Sequence, residues 1–317
     1  MEPTVAALGG NSSARVFKRY FLATRPKFLT ASILPVLYGT AIGFGASGAF
    51  DGLAFVLALA ATVLVHAGAN VINDVCDENT GNDGINDDRI YPFTGGSRFI
   101  QNGVLDVQQM SRWAWVLLAV GAFSGLMLAW AKGFEVVGFG LIGLSLGILY
   151  SAPPIRLSGR GFGEAAVAVG FGALPVAGAA WLQSGTVSET ALLLSIPVSL
   201  WIAAVLLINE VPDRAADGGS GRKTLVVLFG LGGTRLIYLG LQFGAAVAAG
   251  WVAYVSMLPI WAPIVPVLTA LASIKASAGI IQPGAESADL RKGIEMTLMF
   301  HAVGTISLIV AVVVMNW

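Results

Sequence analysis

The sequence predicts an all-α, polytopic membrane protein, a single bundle of about nine transmembrane helices capped at one end by polar loops. Three observations carry this. Of 317 residues, 56% are hydrophobic and only 11% charged, against about 25% charged in a soluble domain. The apolar residues fall in runs of roughly 20, the length that crosses a bilayer. The charges are sorted as well. Spans read near 29–46, 52–75, 112–131, 134–151, 163–183, 190–209, 235–256, 262–279 and 294–316 put 17 of the 18 Lys and Arg residues on one side, leaving only Lys132 on the other. This is the positive-inside pattern, which places the N-terminus and the long loops in the cytoplasm.

Taken in order, residues 1–20 read as a polar cytoplasmic tail. No basic residue precedes Arg15, so a signal peptide is not expected and the first apolar segment should remain as a span. Only Lys132 and Gly133 separate the third and fourth spans. The fourth ends where Pro153 and Pro154 stop a helix. Segments 76–111 and 210–234 read as long polar loops, which in compact proteins are usually functional. No second domain, low-complexity tract or fixed-period repeat is visible, so 1–317 reads as one domain. Zero net charge gives no field for nucleic acid, and nothing points to an obligate protein partner. Cys76 stands alone, which excludes an internal disulfide.

The chemistry is concentrated in two acidic clusters. Asn70-Val71-Ile72-Asn73-Asp74-Val75-Cys76-Asp77, continuing to Asp83, follows the second span, and Asn209-Glu210-Val211-Pro212-Asp213-Arg214-Ala215-Ala216-Asp217 follows the sixth. Carboxylates at the mouth of a membrane helix are expensive to place and read as functional by default. Asp74 and Asp77 stand three apart, Asp213 and Asp217 four apart, spacings that put each pair on one helical face. Paired hard oxygen ligands suit Mg²⁺, which keeps several waters and commonly bridges to phosphate. Two such pairs predict a diphosphate held between two metal-binding edges. Asn70, Asn73 and Asn209 lie within two turns of these carboxylates, where an amide oxygen ligates metal, orients phosphate or caps a helix. Basic residues to complete a diphosphate cradle lie nearby, Arg89 and Arg98 after the first cluster, Arg222 and Lys223 after the second, and Arg156 and Arg160 between them. The competing readings are a solvated helix end for the acids and simple obedience to the positive-inside rule for the bases. His66 falls on one stripe with Asn70, Asp74 and Asp77, as a structural histidine or as a group facing an acceptor hydroxyl.

These residues resemble the UbiA superfamily of intramembrane prenyltransferases, whose pattern is N-D-x-x-D with a later Asp and then D-x-x-x-D. Asn73-Asp74-Val75-Cys76-Asp77 with Asp83, and Asp213-Arg214-Ala215-Ala216-Asp217, carry it here. Within the family the chain looks most like the menaquinone branch, through the run from Asn73 to Gly81 and Asp83, Arg25-Pro26, Gly161-Phe162-Gly163-Glu164 and Lys223-Thr224-Leu225. It departs in having Glu210 where that branch often has a second Asn, Cys76 for an aromatic, and Phe93-Thr94-Gly95-Gly96-Ser97-Arg98 where Pro-Ser-Gly is common. The resemblance implies a UbiA-like helical bundle in the bilayer and Mg²⁺-dependent transfer of a polyprenyl group from an allylic diphosphate to an aromatic acceptor, here 1,4-dihydroxy-2-naphthoate. It implies metal binding by Asp74, Asp77, Asp83, Asp213 and Asp217, of which all but Asp83 are also catalytic. Substrate binding then falls to His66, Asn70, Asn73, Arg98, Tyr150, Arg160, Asn209 and Lys223. Rival readings are transfer to 4-hydroxybenzoate, homogentisate or a similar acceptor, and, from another class, a transporter. Transporters place carboxylates near the bilayer midplane in broken helices, whereas both clusters here fall at span ends. A CDP-alcohol phosphotransferase needs a D-G-x-x-A-R run that this chain lacks.

Overall fold

The computed structural model describes residues 2–186, 189–281 and 287–315, and all regular structure among them is helical. Two short helices, α1 (Val5–Leu8) and α2 (Ser13–Ala23), precede α3 (Thr30–Ser47), α4 (Gly52–Asn79), α5 (Val107–Lys132) and α6 (Glu135–Leu149). Then come α7 (Gly163–Val167), α8 (Leu174–Ser184), α9 (Glu189–Gly219), α10 (Leu225–Val255), α11 (Ile264–Ala276) and α12 (Ala288–Met315). Among the described residues, seven helices are long and apolar enough to cross a membrane: Pro26–Ser47, α4, α5, Gly163–Ser184, α9, α10 and α12. Glu135–Leu149 and Ile264–Ile280, at the fourth and eighth expected spans, are apolar but shorter. Position 316, the end of the ninth expected span, lies outside the described residues.

Helices suit this sequence because lipid offers no partner to a free backbone group, and a helix satisfies its own. Ends are closed by local chemistry. Asp51 Oδ1 accepts from Ala54 N–H at 2.9 Å, Asp106 and Gln109 form a reciprocal capping box, and Gly185 ends α8 in the left-handed conformation. Close approach rests on small residues, as membrane packing requires. A Cβ on Gly39 or Gly43 of α3 would overlap the Val176 and Ala180 carbonyls of α8, and one on Gly304 of α12 would meet the Trp201 ring of α9. Trp201, Tyr38 and Tyr238 are fully buried, while Trp130, Phe134, Leu236 and Ile260 stand exposed on the outside, as lipid-facing residues do. The protein is an integral membrane protein.

The sequence reading needs two corrections. α4 continues to Asn79, and α9 continues through Pro212 to Gly219 with α10 beginning at Leu225. The expected loop 210–234 therefore shrinks to the turn 220–224 and a kink at Gly230, where φ is 64°, and 76–111 shrinks to the segment 80–106. The cause is local. Charged residues mark where apolar runs end, yet Asp213-Arg214-Ala215-Ala216-Asp217 has no helix breaker after Pro212 until Gly218 and Gly219. The tail also has more structure than expected, since Leu8 is buried and Glu2 pairs with Arg89 at 3.0 Å. At the other end of α4, Asp51 holds Lys132 at 2.6 Å.

Gly43→Val should overpack the α3–α8 seam and cost about 1–3 kcal/mol. A markedly lower thermal midpoint in detergent is expected. Gly240→Ala, in open space on α10, should leave the midpoint unchanged.

Candidate active site

The C-terminal ends of α4 and α9 face a common space, bridged by Arg222 and by Asn82, and the helix continuation noted above places Asp74, Asp77, Asp213 and Asp217 on them. Asp74, Asp77, Asp83 and Asp217 are buried and Asp213 is half-buried. The segment 80–106 folds over these ends and meets the acids with backbone and amide donors. Ser97 N–H donates to both oxygens of Asp74 at 3.3 and 3.2 Å, and Gly95 N–H donates to Asp213 at 3.3 Å. Asn86 Nδ2 donates to Asp213 at 2.7 Å, Asn82 Nδ2 to Asp217 at 3.2 Å, and Asn73 Nδ2 to Asp77 at 3.2 Å. Gly96 has a φ of 73°, and a Cβ there would strike the carboxylates of Asp83 and Asp74. Only glycine lets the backbone pass between those two groups.

Positive charge is scarce. Arg222, swung back by the turn after Gly219, pairs with Asp77 and, at 3.1 Å, with Asp217. Arg25 has a φ of 56°, donates to Phe93 O at 2.8 Å and lies over the Phe28 ring. Asp83 shows the consequence. Burial first, and then the charges on Asp74, Asp77 and Asp213, push its carboxyl up to about 8 against the pull of Arg25.

The cluster opens into a cavity of about 460 Å³ lined by Asp77, Asp83, Asp213, Asp217 and Arg222 at one end and by apolar side chains, including Leu128, Val136 and Leu182, at the other. Asp77 and Ala58 both line it. At the helical rise this is about 28 Å along α4, most of a bilayer's apolar thickness. A π-helical turn, Ala168–Ala173, brings Gly170 and Phe171 onto the wall.

The expected site residues divide into groups. Asn70, Asn73, Asn209, Tyr150 and His66 line this cavity. Asn70 is also tied to Thr24 O at 3.0 Å, and His66 Nδ1 meets Ser32 Oγ at 2.7 Å with its ring 4.2 Å from that of Phe171. Asn209 Oδ1 is buried without a hydrogen-bond partner. Asp74 lies behind Gly96, off the cavity surface. Arg98 is buried beyond Asp83, donating to its carbonyl at 2.7 Å. Arg160 and Lys223 do not line the main cavity. They line a separate pocket with Arg156 and share only Arg222 with the acidic site, and Arg160 donates to Pro154 O at 2.8 Å.

The residues the sequence reading undervalued are Arg222, Arg25, the amides Asn82 and Asn86, and the buried Glu164 and Glu210. Glu210 was legible, because 210, 213 and 217 follow the helical i, i+3, i+7 stripe. Arg222 was named only as one basic residue among six, because its direction depends on the glycine turn that precedes it.

The oxygen set fits Mg²⁺: hard, anionic ligands in pairs, with the unpartnered Asn209 Oδ1 on the same wall. Among the described residues no three acidic or imidazole groups enclose an ion by themselves. An ion here completes its shell with water and ligand oxygens, as Mg²⁺ habitually does.

Among the described residues Arg222 alone pairs with two of these carboxylates, and removing it should be costly. Arg222→Met is expected to lose about 3 kcal/mol, the usual penalty for stranding a buried partner, read as a lower unfolding midpoint in detergent. Arg160→Met, removing an exposed side chain bonded to one carbonyl, should barely move it.

Residues 32–314 match the UbiA prenyltransferase family. The chain is 30% identical to the 1,4-dihydroxy-2-naphthoate octaprenyltransferase of Haemophilus influenzae over 76% of its own length and 82% of that protein's. It is 32% identical to the enzyme of the same name from Escherichia coli, over 75% of this chain and 77% of the other. The fold is that of a UbiA homolog from Archaeoglobus fulgidus bound to GPP and Mg²⁺, with a TM-score of 0.66 at 17% identity, covering 92% of this chain and 99% of that one. With its paired Asp motifs on two bridged helix ends above a long apolar cavity, the chain belongs to the UbiA prenyltransferase family and is a membrane prenyltransferase.

Proposed function

We propose that this enzyme transfers a polyprenyl group from an allylic diphosphate to 1,4-dihydroxy-2-naphthoate, in menaquinone biosynthesis, with the acidic site on the cytoplasmic face and residues 1–317 acting as one domain. The observation that carries the reading is the junction itself, a cluster of carboxylates opening directly into an apolar cavity about as long as a bilayer's hydrocarbon layer is thick. Diphosphate and tail have opposite solvation needs, and this cavity supplies both. The naphthoate prenyltransferases among the relatives support the choice of acceptor. The distribution of Lys and Arg supports the cytoplasmic orientation.

Asp77, Asp83, Asp213 and Asp217 would hold Mg²⁺, with Asp74 supporting from behind Gly96. When bound, the ion supplies neutralisation of the diphosphate and stabilises the charge that develops as the allylic C–O bond breaks. The protein's own groups do the rest. Arg222 stands at the cavity surface, where a departing diphosphate meets a fixed positive charge. Asn73, braced by Ser151 Oγ at 3.1 Å, orients Asp77. The apolar walls hold the tail extended and exclude the water that would quench an allylic cation. Tyr150, Asn209 and His66 line the same space, on the route an aromatic acceptor takes to the reacting carbon.

Asp77→Ala, Asp213→Ala and Asp217→Ala should each lower turnover at least a hundredfold while the protein still inserts and folds, as when one Lewis-acid ligand is lost. EDTA should abolish activity, and Ca²⁺, which prefers more ligands at longer distances, should restore it poorly. Near-normal turnover in two of the variants, or full activity in metal-free membranes, contradicts the assignment.

The acceptor is tested by competition on one membrane preparation, with 1,4-dihydroxy-2-naphthoate and 4-hydroxybenzoate at equal concentration and products identified by mass. Prenylated, decarboxylated naphthoquinol is expected to dominate. Exclusive prenylation of the benzoate would replace the acceptor and leave the enzyme class intact.

A further inference from the structure

Glu164, at the start of α7, and Glu210, on α9, are both more than nine-tenths buried. Their carboxyl groups come together where α7 packs on α9, with Glu210 Oε1 beside Gly163. No donor from another described residue reaches Glu164 Oε1 or Glu210 Oε2. This is unlike the five aspartates, each of which is met by an amide, guanidinium or backbone N–H. Two carboxyls in contact away from water share a proton, so at most one is charged. Burying such a pair costs free energy that packing does not repay, and Glu210 spends that cost on the cavity wall. It sits one turn inside Asp213, between the acidic end and the apolar depth. Asn209 Oδ1, also unpartnered, lies on the same wall.

We propose that Glu210 is the catalytic base on the acceptor side, binding the ring hydroxyl and taking its proton, and that Glu164 is a positioning residue which holds the shared proton and returns Glu210 to its working state. The proposal rests on the prenyl-transfer reading above. In the step, the hydroxyl O–H bond breaks and its proton passes to Glu210, leaving the electron pair on the ring oxygen. The enriched ring carbon attacks the allylic carbon, and the C–O bond to diphosphate breaks with its electron pair on the leaving group. The ring's C–CO₂ bond then breaks, CO₂ departs, and the electron pair left behind restores the aromatic ring. The proton returns from Glu210 to the ring oxygen, so the pair ends with the single proton it began with.

The test compares wild type, Glu210→Gln, Glu164→Gln and Glu210→Asp in detergent-purified full-length enzyme. Binding of geranylgeranyl thiodiphosphate with Mg²⁺ is measured apart from acceptor-dependent turnover. Glu210→Gln should lower kcat/KM for the acceptor about a hundredfold, as for loss of a general base, with analogue binding within twofold of wild type. Glu210→Asp should recover part of the loss. The acid limb of acceptor kcat/KM combines protonation of the Asp cluster with uptake of the pair's second proton, and Glu210→Gln should alter that limb while leaving the pH dependence of analogue binding, which the Asp cluster sets, unchanged. Tyr150, Asp217 and Arg222 also act on the pair, and Asp213 stands one turn away on the same wall. The pH profile of analogue binding, which does not involve the acceptor, is therefore the control. Glu164→Gln should shift the limb while lowering kcat less than Glu210→Gln. Unchanged acceptor kinetics in Glu210→Gln, or a parallel loss of analogue binding, overturns the proposal. Each variant is compared on whichever hydroxylated acceptor the wild type prenylates, so failure of the naphthoate assignment shows in the wild type alone.

Discussion

The burial of acidic oxygen at one end of the bundle governs everything else in the structure. A carboxylate removed from water costs several kcal/mol unless it is paired. Among the described residues, only Arg222 makes an ion pair within the Asp cluster, and it serves two carboxylates at once. The others are met by amides and backbone N–H groups, which hydrogen-bond a charge but do not cancel it. The deficit is expressed in Asp83, pushed up to about 8 by its burial and its neighbours. A site left short of positive charge in this way has its affinity for a cationic partner built into the fold.

Several local features are explained by holding those oxygens in place. α9 keeps its helical course past Pro212, which preserves the one-face spacing of Glu210, Asp213 and Asp217. The Gly95-Gly96 turn, with φ near 72° and 73°, threads backbone between carboxylates where no Cβ fits. Arg25 and Arg98 both take the left-handed conformation that ordinary residues avoid, at φ of 56° and 65°. Such conformations persist where surrounding contacts over-determine them. Here those contacts are hydrogen bonds to Phe93 O and Asp83 O.

The fold class and the Asp motifs were legible in the sequence because each rests on local rules: hydropathy over a span length, charge sorted by side, and carboxylates at helical spacing. What was misread depended on long-range placement. Charge at 213–217 looked like a loop, because composition does not distinguish a solvated turn from a helix end covered by another segment. Lys223 and Arg222 are adjacent in sequence, yet one lines the outer basic pocket while the other also pairs with Asp77 across the bundle. Arg98 and Asp83 looked like groups facing a common ligand, whereas Arg98 bonds the Asp83 backbone and lies away from the cavity. The contact between Glu164 and Glu210 joins residues 46 positions apart in sequence, and no periodicity encodes it.

The two ends of the cavity impose opposite demands that the chain meets by a gradient rather than a boundary. Oxygen density is highest at Asp77, Asp83, Asp213 and Asp217, falls to the amides of Asn70, Asn73 and Asn209, and gives way to Leu128, Val136 and Leu182. Ionisation of the allylic diphosphate needs the cations that the first group would hold, and the allylic cation needs the dryness of the last to survive. The reacting carbon therefore belongs at the middle of the gradient, close enough to the acids for charge separation and deep enough to be shielded from water. Glu210 lines the cavity one helical turn inward from Asp213. At that depth Glu210 is the carboxyl nearest the apolar walls, the group to which an acceptor's proton would pass.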